Sequence, residues 1–199
     1  MTEELPYRIA IIVLLAGMKT VRLCRRRCLG WKASWSAAKK NPGDGVVLAV
    51  CQSVWTAALV VYVCCPQWIS FAHLDMPLHM RWGGSAVGIA GILVVAWADH
   101  HLGSNLSGIV QIKDEQTLIT AGPYRWIRHP IYTGGLLYCC GHFLLSANWC
   151  VGACCCGGAA LLYATRIPRE EKMMLGKFGD DYRHYIKRTG RLLPRIICR

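Results

Sequence analysis

The stretch Gly122–Gly134 has the highest density of side chains that could bind a ligand, and it directly precedes an apolar run. Pro130 lacks a backbone N–H and favours a helical φ, so it predicts the start of a helix. Arg128 and His129 would then lie at the mouth of that helix, where free N–H groups gather. A second polar cluster, Arg166–Glu171, follows the next apolar run. A hairpin of two membrane spans would return this second cluster to the side of His129.

Together the two clusters could bind a zwitterionic ligand. The arginines could donate hydrogen bonds to its carboxylate, and Glu170 could accept from its ammonium group. The rings of Tyr124 and Tyr132 could face a cationic centre. A structural ion-pair network is the alternative. Pro168 also suits a helix start, which would place Glu170 and Glu171 in a first turn, where carboxylates favour the helix dipole. The residues alone do not decide between these two interpretations.

The composition indicates a membrane protein. The 199-residue chain is 54% hydrophobic and has a net charge of +12, so apolar and charged residues must be segregated along the sequence. The lysines and arginines fall between apolar runs rather than along one amphipathic face. We therefore interpret them as determinants of membrane topology and predict no nucleic-acid partner. Nucleic-acid binding is the less favoured alternative for so basic a chain.

Five apolar runs are predicted to cross the bilayer, because a helix of about 20 apolar residues spans its hydrocarbon core. They are Ile9–Leu23, Gly45–Cys65, Trp82–Ala98, Ile131–Asn148 and Trp149–Thr165. The first run could instead be an uncleaved signal anchor. The basic loop after the first run, residues 99–128 and the basic C-terminus then lie on one face, which the positive-inside bias makes cytoplasmic. The N-terminus is expected outside.

Two features indicate how these helices pack. Gly84 and Gly88 form a small-xxx-small pair that would allow another helix to approach closely. After Pro168, apolar residues recur at helical spacing and predict an amphipathic helix: Leu175, Phe178, Tyr182 and Tyr185. That helix should lie against the membrane or against a neighbouring span.

Neither the histidines nor the cysteines indicate a metal site. His100 and His101 are adjacent, so they would point about 100° apart on a helix, and no third ligand stands at i+4. The 12 cysteines include no pair of Cys-x-x-Cys motifs and mostly lie in apolar runs. We interpret them as small apolar residues of membrane helices.

Three motifs occur in a fixed order along the second half of the chain: Gly122-x-Tyr124-x-x-x-Arg128-His129-Pro130-x-Tyr132, Arg166-x-x-x-Glu170-Glu171 and Phe178-Gly179-x-x-Tyr182-x-x-Tyr185. This order, with a short apolar hairpin after the first motif, resembles the isoprenylcysteine carboxyl methyltransferase family. It is also similar to the wider group of small membrane methyltransferases that includes phospholipid N-methyltransferases. The resemblance runs from Leu102 to Pro194, and the N-terminal spans carry no motif of the family.

The resemblance implies an integral membrane enzyme that binds S-adenosylmethionine in a pocket formed by the loop, the hairpin and the tail helix. Carried over by matching positions, the pocket would be lined by Gln111, Gln116, Thr117, Leu118, Ile119, Tyr124, His129, Pro130, Ile131, Tyr132 and Glu170. The catalytic pair would be Arg166, which would hold the carboxylate of the acceptor, and Glu170, which would complete the cofactor pocket.

The resulting fold prediction is an all-α integral membrane helical bundle with about five transmembrane helices, in which a C-terminal amphipathic helix closes a cytoplasmic cofactor pocket. The chain is expected to form one membrane domain. Residues 1–98 would hold the N-terminal transmembrane helices, and residues 99–199 would hold the catalytic, cofactor-binding region.

The predicted reaction is methyl transfer to a lipophilic acceptor reached from the lipid bilayer, with a prenylcysteine-like carboxylate as the first expectation. A carboxylate is already a nucleophile at neutral pH, whereas an amine or a thiol would have to lose a proton to Glu170, His129 or a tyrosine. The alternatives are a phospholipid or thiol methyltransferase, an NADPH-dependent membrane reductase of the sterol reductase type, and a non-catalytic membrane scaffold. The oligomeric state stays open.

Overall fold

The polypeptide forms an all-α bundle in a computed structural model that describes residues 4–29, 42–103 and 117–195. The long helices of this part are α1 Leu5–Leu29, α2 Pro42–Cys64, α3 Leu78–Leu102, α4 Pro130–Ser146 and α5 Trp149–Arg188. Two 3₁₀ helices, Pro66–Ala72 and Gly122–Arg125, lie between them. A π-helical turn, Ala153–Gly157, forms part of α5.

Three stretches of these helices have the length and composition needed to cross a membrane: Val46–Cys64, Leu78–Leu102 and Trp149–Arg188. Large apolar side chains such as Val54, Leu93 and Leu161 are exposed on their surfaces. Extended exposed apolar surface is typical of contact with lipid. The prediction of an all-α membrane bundle is confirmed in this general form.

The count of five spans stays a prediction. The first helix, Leu5–Leu29, extends the predicted run Ile9–Leu23 at both ends and carries several basic residues. The helix α4 has 17 residues, about 26 Å at 1.5 Å per residue, which is slightly shorter than a hydrocarbon core of about 30 Å. The expected division at residues 98 and 99 falls inside α3, which ends at Leu102.

Glycines allow α3 and α4 to pack closely. A Cβ atom added to Gly84 would lie 2.8 Å from the Gly141 carbonyl oxygen, and one added to Gly91 would lie 2.6 Å from a carbonyl oxygen of α4. A Cβ at Gly88 would lie 2.6 Å from Leu14 Cδ1 of α1. The backbone contacts leave no room for a side chain at Gly84 or Gly91, whereas the contact at Gly88 is with the end of a leucine side chain. The predicted small-xxx-small pair is therefore confirmed as a helix-packing site.

A buried arginine closes the end of the bundle at which α4 finishes. Arg81, in the first turn of α3, donates two hydrogen bonds of 2.7 Å to the Glu4 carboxylate and one of 3.0 Å to the Leu145 carbonyl oxygen. Tyr62 of α2 donates to Glu4 at 2.9 Å. The hydrogen bond from Arg81 is the main reason that the pKa of Glu4 is lowered. The buried charge of Arg81 is tolerated because it is paired and hydrogen-bonded.

The helices α4 and α5 form the predicted tight hairpin, and α4 begins at Pro130 as expected. The chain reverses at Ala147, whose φ is +45°. Asn148 then caps α5 by accepting a hydrogen bond from the Val151 N–H at 3.2 Å. The Asn148 amide also donates to the Ile69 carbonyl oxygen at 2.8 Å, which ties the hairpin to the connector between α2 and α3. The second half of α5 thereby returns to the end at which α4 begins.

The prediction that Pro168 begins a new helix is wrong, because Pro168 lies inside α5. Proline removes one N–H donor from a helix interior and normally weakens it. Here the buried side chains of Ile167 and Glu171 hold the helix on both sides of the proline. The helix is interrupted instead at Gly179, whose φ of +51° is readily adopted by glycine. Glu170 and Glu171 therefore occupy a helix interior rather than a first turn.

Gly91→Ala should destabilise the bundle, because the new methyl group would meet the backbone of α4. Overpacking of this kind costs roughly 1–3 kcal/mol, against a gain in helix propensity of roughly 1 kcal/mol. Gly83→Ala is the matched control on the same helix, since a Cβ there has nothing within 4 Å. Thermal unfolding in one detergent should give a lower midpoint for Gly91→Ala and an equal or higher midpoint for Gly83→Ala. Equal midpoints for the two variants would contradict the close approach of α3 and α4.

Candidate functional site

Glu170 lies at the centre of a polar cluster between the start of α4 and the second half of α5. One of its oxygens accepts a hydrogen bond from the Tyr132 hydroxyl and lies 3.6 Å from Arg166 Nη2. The other oxygen lies 3.6 Å from His129 Nδ1. The predicted return of the second cluster to the side of His129 is therefore confirmed. The Glu170 side chain is 24% exposed, so its carboxylate stays partly accessible.

Glu171, the next residue, has a different environment. Its carboxylate accepts hydrogen bonds from Arg128 Nε at 3.0 Å and from Arg191 Nη2, and one oxygen lies 3.4 Å from His129 Nε2. Its side chain is only 10% exposed. Consecutive helix residues point about 100° apart, so the two glutamates face different partners. We refer to Glu171, Arg128 and Arg191 together as the latch.

The tail after α5 pairs with the loop before α4 through the backbone. Arg128 N donates to the Gly190 carbonyl oxygen at 2.8 Å, and Gly190 N donates to that of Trp126 at 3.0 Å. His129 N donates to the Arg191 carbonyl oxygen at 3.1 Å. The loop that carries His129 is thus held by a segment about sixty positions later in the chain.

The guanidinium group of Arg128 is occupied by the protein itself. Besides Glu171, it donates to the backbone oxygens of Ile186 and Thr189 at the end of α5. These contacts use the Nε and Nη1 donors of Arg128, and the expectation that Arg128 donates to the carboxylate of a ligand stays a prediction. Its role here is to hold the tail and the loop together.

His129 bridges the two glutamates. Its ring nitrogens face Glu170 and Glu171, and both nitrogens can act as donors only in the protonated ring. Burial alone would lower the pKa of His129, but the two carboxylates outweigh burial and raise the pKa above its usual value of 6.5. When it is protonated, the imidazole of His129 attracts both carboxylates and so connects Glu170 with the latch.

Three rings follow one another from the loop into the seam between α4 and α5. His129 stacks on Tyr132 with centroids 5.6 Å apart, and the Tyr132 centroid lies 4.5 Å from that of Tyr163. Tyr124 is buried in the 3₁₀ helix before the loop, and burial raises its pKa. The Tyr124 carbonyl oxygen accepts a hydrogen bond from the Tyr185 hydroxyl at 2.7 Å. Ring faces of this kind can receive a cation.

The structure brings together part of the predicted pocket. The members in direct contact are His129, Tyr132, Arg166 and Glu170. The others lie in the segment before α4 or in its first turn: Thr117, Leu118, Ile119, Tyr124, Pro130 and Ile131. Of these, Tyr124 and Pro130 are buried and Thr117 is exposed. Gln111 and Gln116 lie outside the residues that the structure describes. The binding roles of all these residues stay predictions.

Sequence reasoning missed the latch, because it treated Glu171 as a neighbour of Glu170 and gave Arg191 no role. A signal for Glu171 was present. It lies four residues before Leu175 and so continues the helical spacing of the face that includes the buried Tyr182. A carboxylate on a buried face needs a cationic partner. Arg191 gave no comparable signal, because its contact forms only when the tail folds back on α5.

The cluster can pair with charged groups of both signs. The partly exposed Glu170 carboxylate and the ring faces suit an ammonium or sulfonium cation, and the buried Arg166 suits a carboxylate. Within residues 4–29, 42–103 and 117–195, no group of three or more histidine, cysteine or acidic side chains is arranged to hold a metal ion.

Glu171→Gln should destabilise the protein more than Glu170→Gln. Removing one partner of a buried ion pair costs roughly 3–5 kcal/mol, but Arg191 is 54% exposed, so we expect about 2–3 kcal/mol for Glu171→Gln. Glu170 is more exposed and should contribute about 1 kcal/mol. Thermal unfolding of both variants in the same detergent measures the difference. A larger loss for Glu170→Gln would contradict the structural role of the latch.

The contribution of His129 to stability should fall as the pH rises. Because its pKa is raised in the folded state, the stabilisation is fully present below about pH 6.5 and is lost as the pH passes through the folded-state pKa. The unfolding midpoints of the wild type and of His129→Gln should therefore differ most at acidic pH and approach each other at alkaline pH. A difference that is constant or grows with pH would show that the pKa is not raised.

Comparison with known proteins identifies relatives of this chain that match the region of the site. The isoprenylcysteine carboxyl methyltransferase family matches residues 85–176, which include both glutamates and the loop before α4. A protein-S-isoprenylcysteine O-methyltransferase of Xenopus laevis is 36% identical over 100 residues, 47% of this chain and 33% of that protein. A probable protein-S-isoprenylcysteine O-methyltransferase of Oryza sativa subsp. indica is 30% identical over 128 residues, 63% of this chain and 67% of that protein. The chain thus spans only about a third of the Xenopus relative.

The fold is similar to the solved structure of the eukaryotic intramembrane Ras methyltransferase, isoprenylcysteine carboxyl methyltransferase. The TM-score is 0.58, and the likeness covers 94% of this chain and 68% of the other at 24% sequence identity. At that identity the likeness concerns the fold alone. The match to two thirds of the Oryza relative, together with the family match across the hairpin and both clusters, decides the assignment: the chain belongs to the isoprenylcysteine carboxyl methyltransferase family.

Proposed function

We propose that this protein is an integral membrane methyltransferase that uses S-adenosylmethionine to methylate the carboxylate of a lipophilic, prenylcysteine-like acceptor. The observation that carries the proposal is the position of Glu170. Its carboxylate is oriented by Tyr132, His129 and Arg166, yet 24% of the side chain stays exposed to a ligand. The names of the matched relatives, protein-S-isoprenylcysteine O-methyltransferases, support the same reaction.

The residues of the cluster fit S-adenosylmethionine, which carries an ammonium group, a carboxylate and a sulfonium centre. Glu170 would pair with the ammonium group, since its carboxylate is the partly open acceptor of the cluster. The ring of Tyr132, whose hydroxyl donates to Glu170, would line the pocket near the sulfonium centre. Tyr124 would close the pocket on the loop side. When bound, S-adenosylmethionine supplies an electrophilic methyl group.

Arg166 would hold the carboxylate of the acceptor. It is buried, lies one helical turn before Glu170 and keeps a cationic group at the end of an apolar hairpin. A carboxylate is ionised at neutral pH and is already nucleophilic, so no side chain has to remove a proton. The main contribution of the protein would be to orient the acceptor oxygen towards the methyl group. Positioning of this kind can lower a barrier by roughly 7–11 kcal/mol.

The latch would support this positioning from outside the pocket. Arg128 immediately precedes His129, so fixing Arg128 to Glu171 and to the tail also fixes the start of α4. A displacement of about 1 Å in a positioned group can cost on the order of a hundredfold in rate. Glu171 is therefore proposed as a positioning residue rather than a catalytic one.

The proposed topology has five membrane crossings, an external N-terminus and a cytoplasmic site. The site and the Glu4–Arg81 ion pair lie at opposite ends of α4. Exposed basic residues follow the site on α5 and on the tail: Arg169, Lys172, Arg183, Lys187, Arg188 and Arg195. The positive-inside bias favours the cytoplasmic side for the end that carries them.

A labelling experiment tests the reaction. The purified chain would be incubated with methyl-labelled S-adenosylmethionine and, separately, with N-acetyl-S-farnesylcysteine, phosphatidylethanolamine and a simple thiol. We expect label in an extractable, base-labile ester of farnesylcysteine and none in the other two. Label only in the phospholipid or only in the thiol would replace the carboxylate with that acceptor, and label in none would reject methyl transfer to these classes.

Cofactor binding is tested by Glu170→Gln, which should abolish measurable binding of S-adenosylmethionine in calorimetry, because it removes the proposed partner of the ammonium group. Asp180→Asn is the matched control. This carboxylate lies on the same helix, pairs with Arg183 and is 79% exposed, so its loss should leave binding unchanged. Binding by Glu170→Gln at wild-type affinity would refute the proposed role of Glu170.

A further inference from the structure

Tyr163 lies at the border between the lipid-facing and protein-facing sides of α5. Leu161 is 63% exposed, whereas Leu162 is only 8% exposed. Ala164 and Thr165 are exposed as well, and Arg166 is buried. Tyr163 itself is half-buried. Its ring therefore stands where the outer surface of the bundle meets the interior that contains Arg166.

The Tyr163 side chain fills the seam between α4 and α5. Its ring centroid lies 4.5 Å from that of Tyr132, with 30° between the ring planes. Across the seam, a Cβ atom added to Gly135 would lie 2.2 Å from the Tyr163 hydroxyl oxygen and 3.4 Å from Cζ. The absence of a side chain at Gly135 is what allows the ring to occupy this position. Any widening of the seam must therefore move Tyr163.

The spacing along α5 relates this ring to the proposed acceptor. Tyr163 precedes Arg166 by three residues, about 4.5 Å along the helix axis and on a neighbouring face. Side chains of a helix lean towards its N-terminus, so the Tyr163 ring extends from Arg166 towards the apolar part of α5. An acceptor whose carboxylate is held at Arg166 would place its first apolar atoms beside this ring.

We propose that Tyr163 is a specificity-determining residue, which limits the width of the acceptor chain next to the reacting carboxylate, with Gly135 providing the space that the ring needs. This inference rests on the proposed function. It concerns acceptors that combine a carboxylate with a slender apolar substituent on a nearby thioether. Tyr163 selects by shape, because a closely packed aromatic ring excludes a broad group and leaves room for a narrow one.

The test compares two acceptors that share the N-acetylcysteine carboxylate and differ in the width of the sulfur substituent, a straight S-decyl chain and a broad S-naphthylmethyl group. Tyr163→Ala in the 199-residue chain should raise the ratio of kcat/KM for the broad acceptor to that for the straight one by about tenfold. The KM for S-adenosylmethionine should stay within about twofold of the wild-type value. Tyr163→Phe keeps the ring and should keep the wild-type ratio. Leu161→Ala, on the lipid-facing side, is the matched control and should also keep it.

The contact across the seam is tested separately. Gly135→Ala would place a methyl group against the Tyr163 hydroxyl, so it should lower kcat/KM for both acceptors. Adding Tyr163→Phe to Gly135→Ala removes that hydroxyl and leaves an ordinary contact to Cζ, so the double variant should regain most of the activity. Thermal unfolding would first establish that both variants are folded. If the double variant then fails to regain activity, the role assigned to this contact is overturned.

The outcomes of these experiments distinguish this inference from the proposed function. If the wild type forms a base-labile methyl ester but Tyr163→Ala leaves the acceptor ratio unchanged, Tyr163 does not determine specificity while the methyltransferase activity stands. A rise in the KM for S-adenosylmethionine with an unchanged ratio would assign Tyr163 to the support of Tyr132 instead. If the wild type forms no ester with either acceptor or with N-acetyl-S-farnesylcysteine, both the proposed function and this inference fail. An ester with N-acetyl-S-farnesylcysteine alone would overturn this inference and leave the proposed function standing.

Discussion

The site depends on the burial of one carboxylate among three cationic groups. Glu171 joins three segments that are distant in sequence, because Arg128 of the loop, His129 at the start of α4 and Arg191 of the tail all converge on it. Burying this carboxylate without cationic partners would be unfavourable, and the three cations would repel one another without it. The backbone pairing between the loop and the tail, centred on Gly190, is compatible with this arrangement and leaves few orientations for the start of α4.

A similar constraint operates at the other end of the bundle. The carbonyl groups in the last turn of a helix lack partners within that helix, and Arg81 satisfies the one at Leu145 while it pairs with Glu4. Between these two polar ends the helices meet mainly through apolar contacts and glycines, because apolar side chains alone do not distinguish a neighbouring helix from lipid. The helix α4 is thus fixed at both ends. Its position in turn sets where His129 stands relative to the second half of α5.

Much of the fold could be predicted from the sequence, but the contacts that organise the site could not. The start of α4 at Pro130 and the tight hairpin follow from local rules on proline and on apolar run length. The same rules failed at Pro168, because buried side chains on both sides of it outweigh the preference of proline for a helix start. The pairing of Arg191 with Glu171 depends on a tail that folds back after a break at Gly179. No pattern confined to one helix reports such a contact.

The two adjacent glutamates divide two roles that a single carboxylate could not combine. A carboxylate saturated by two arginines has little capacity left for a ligand, whereas a carboxylate open to a ligand cannot anchor the loop. Placing the two on consecutive helix residues, about 100° apart, allows Glu171 to be saturated while Glu170 stays partly open. His129 faces both, so its charge acts on the latch and on the open carboxylate together. A cation bound at Glu170 would compete with a protonated imidazole for the same oxygen. Occupation of the proposed pocket would then be coupled to the protonation of His129, which connects that pocket to the latch.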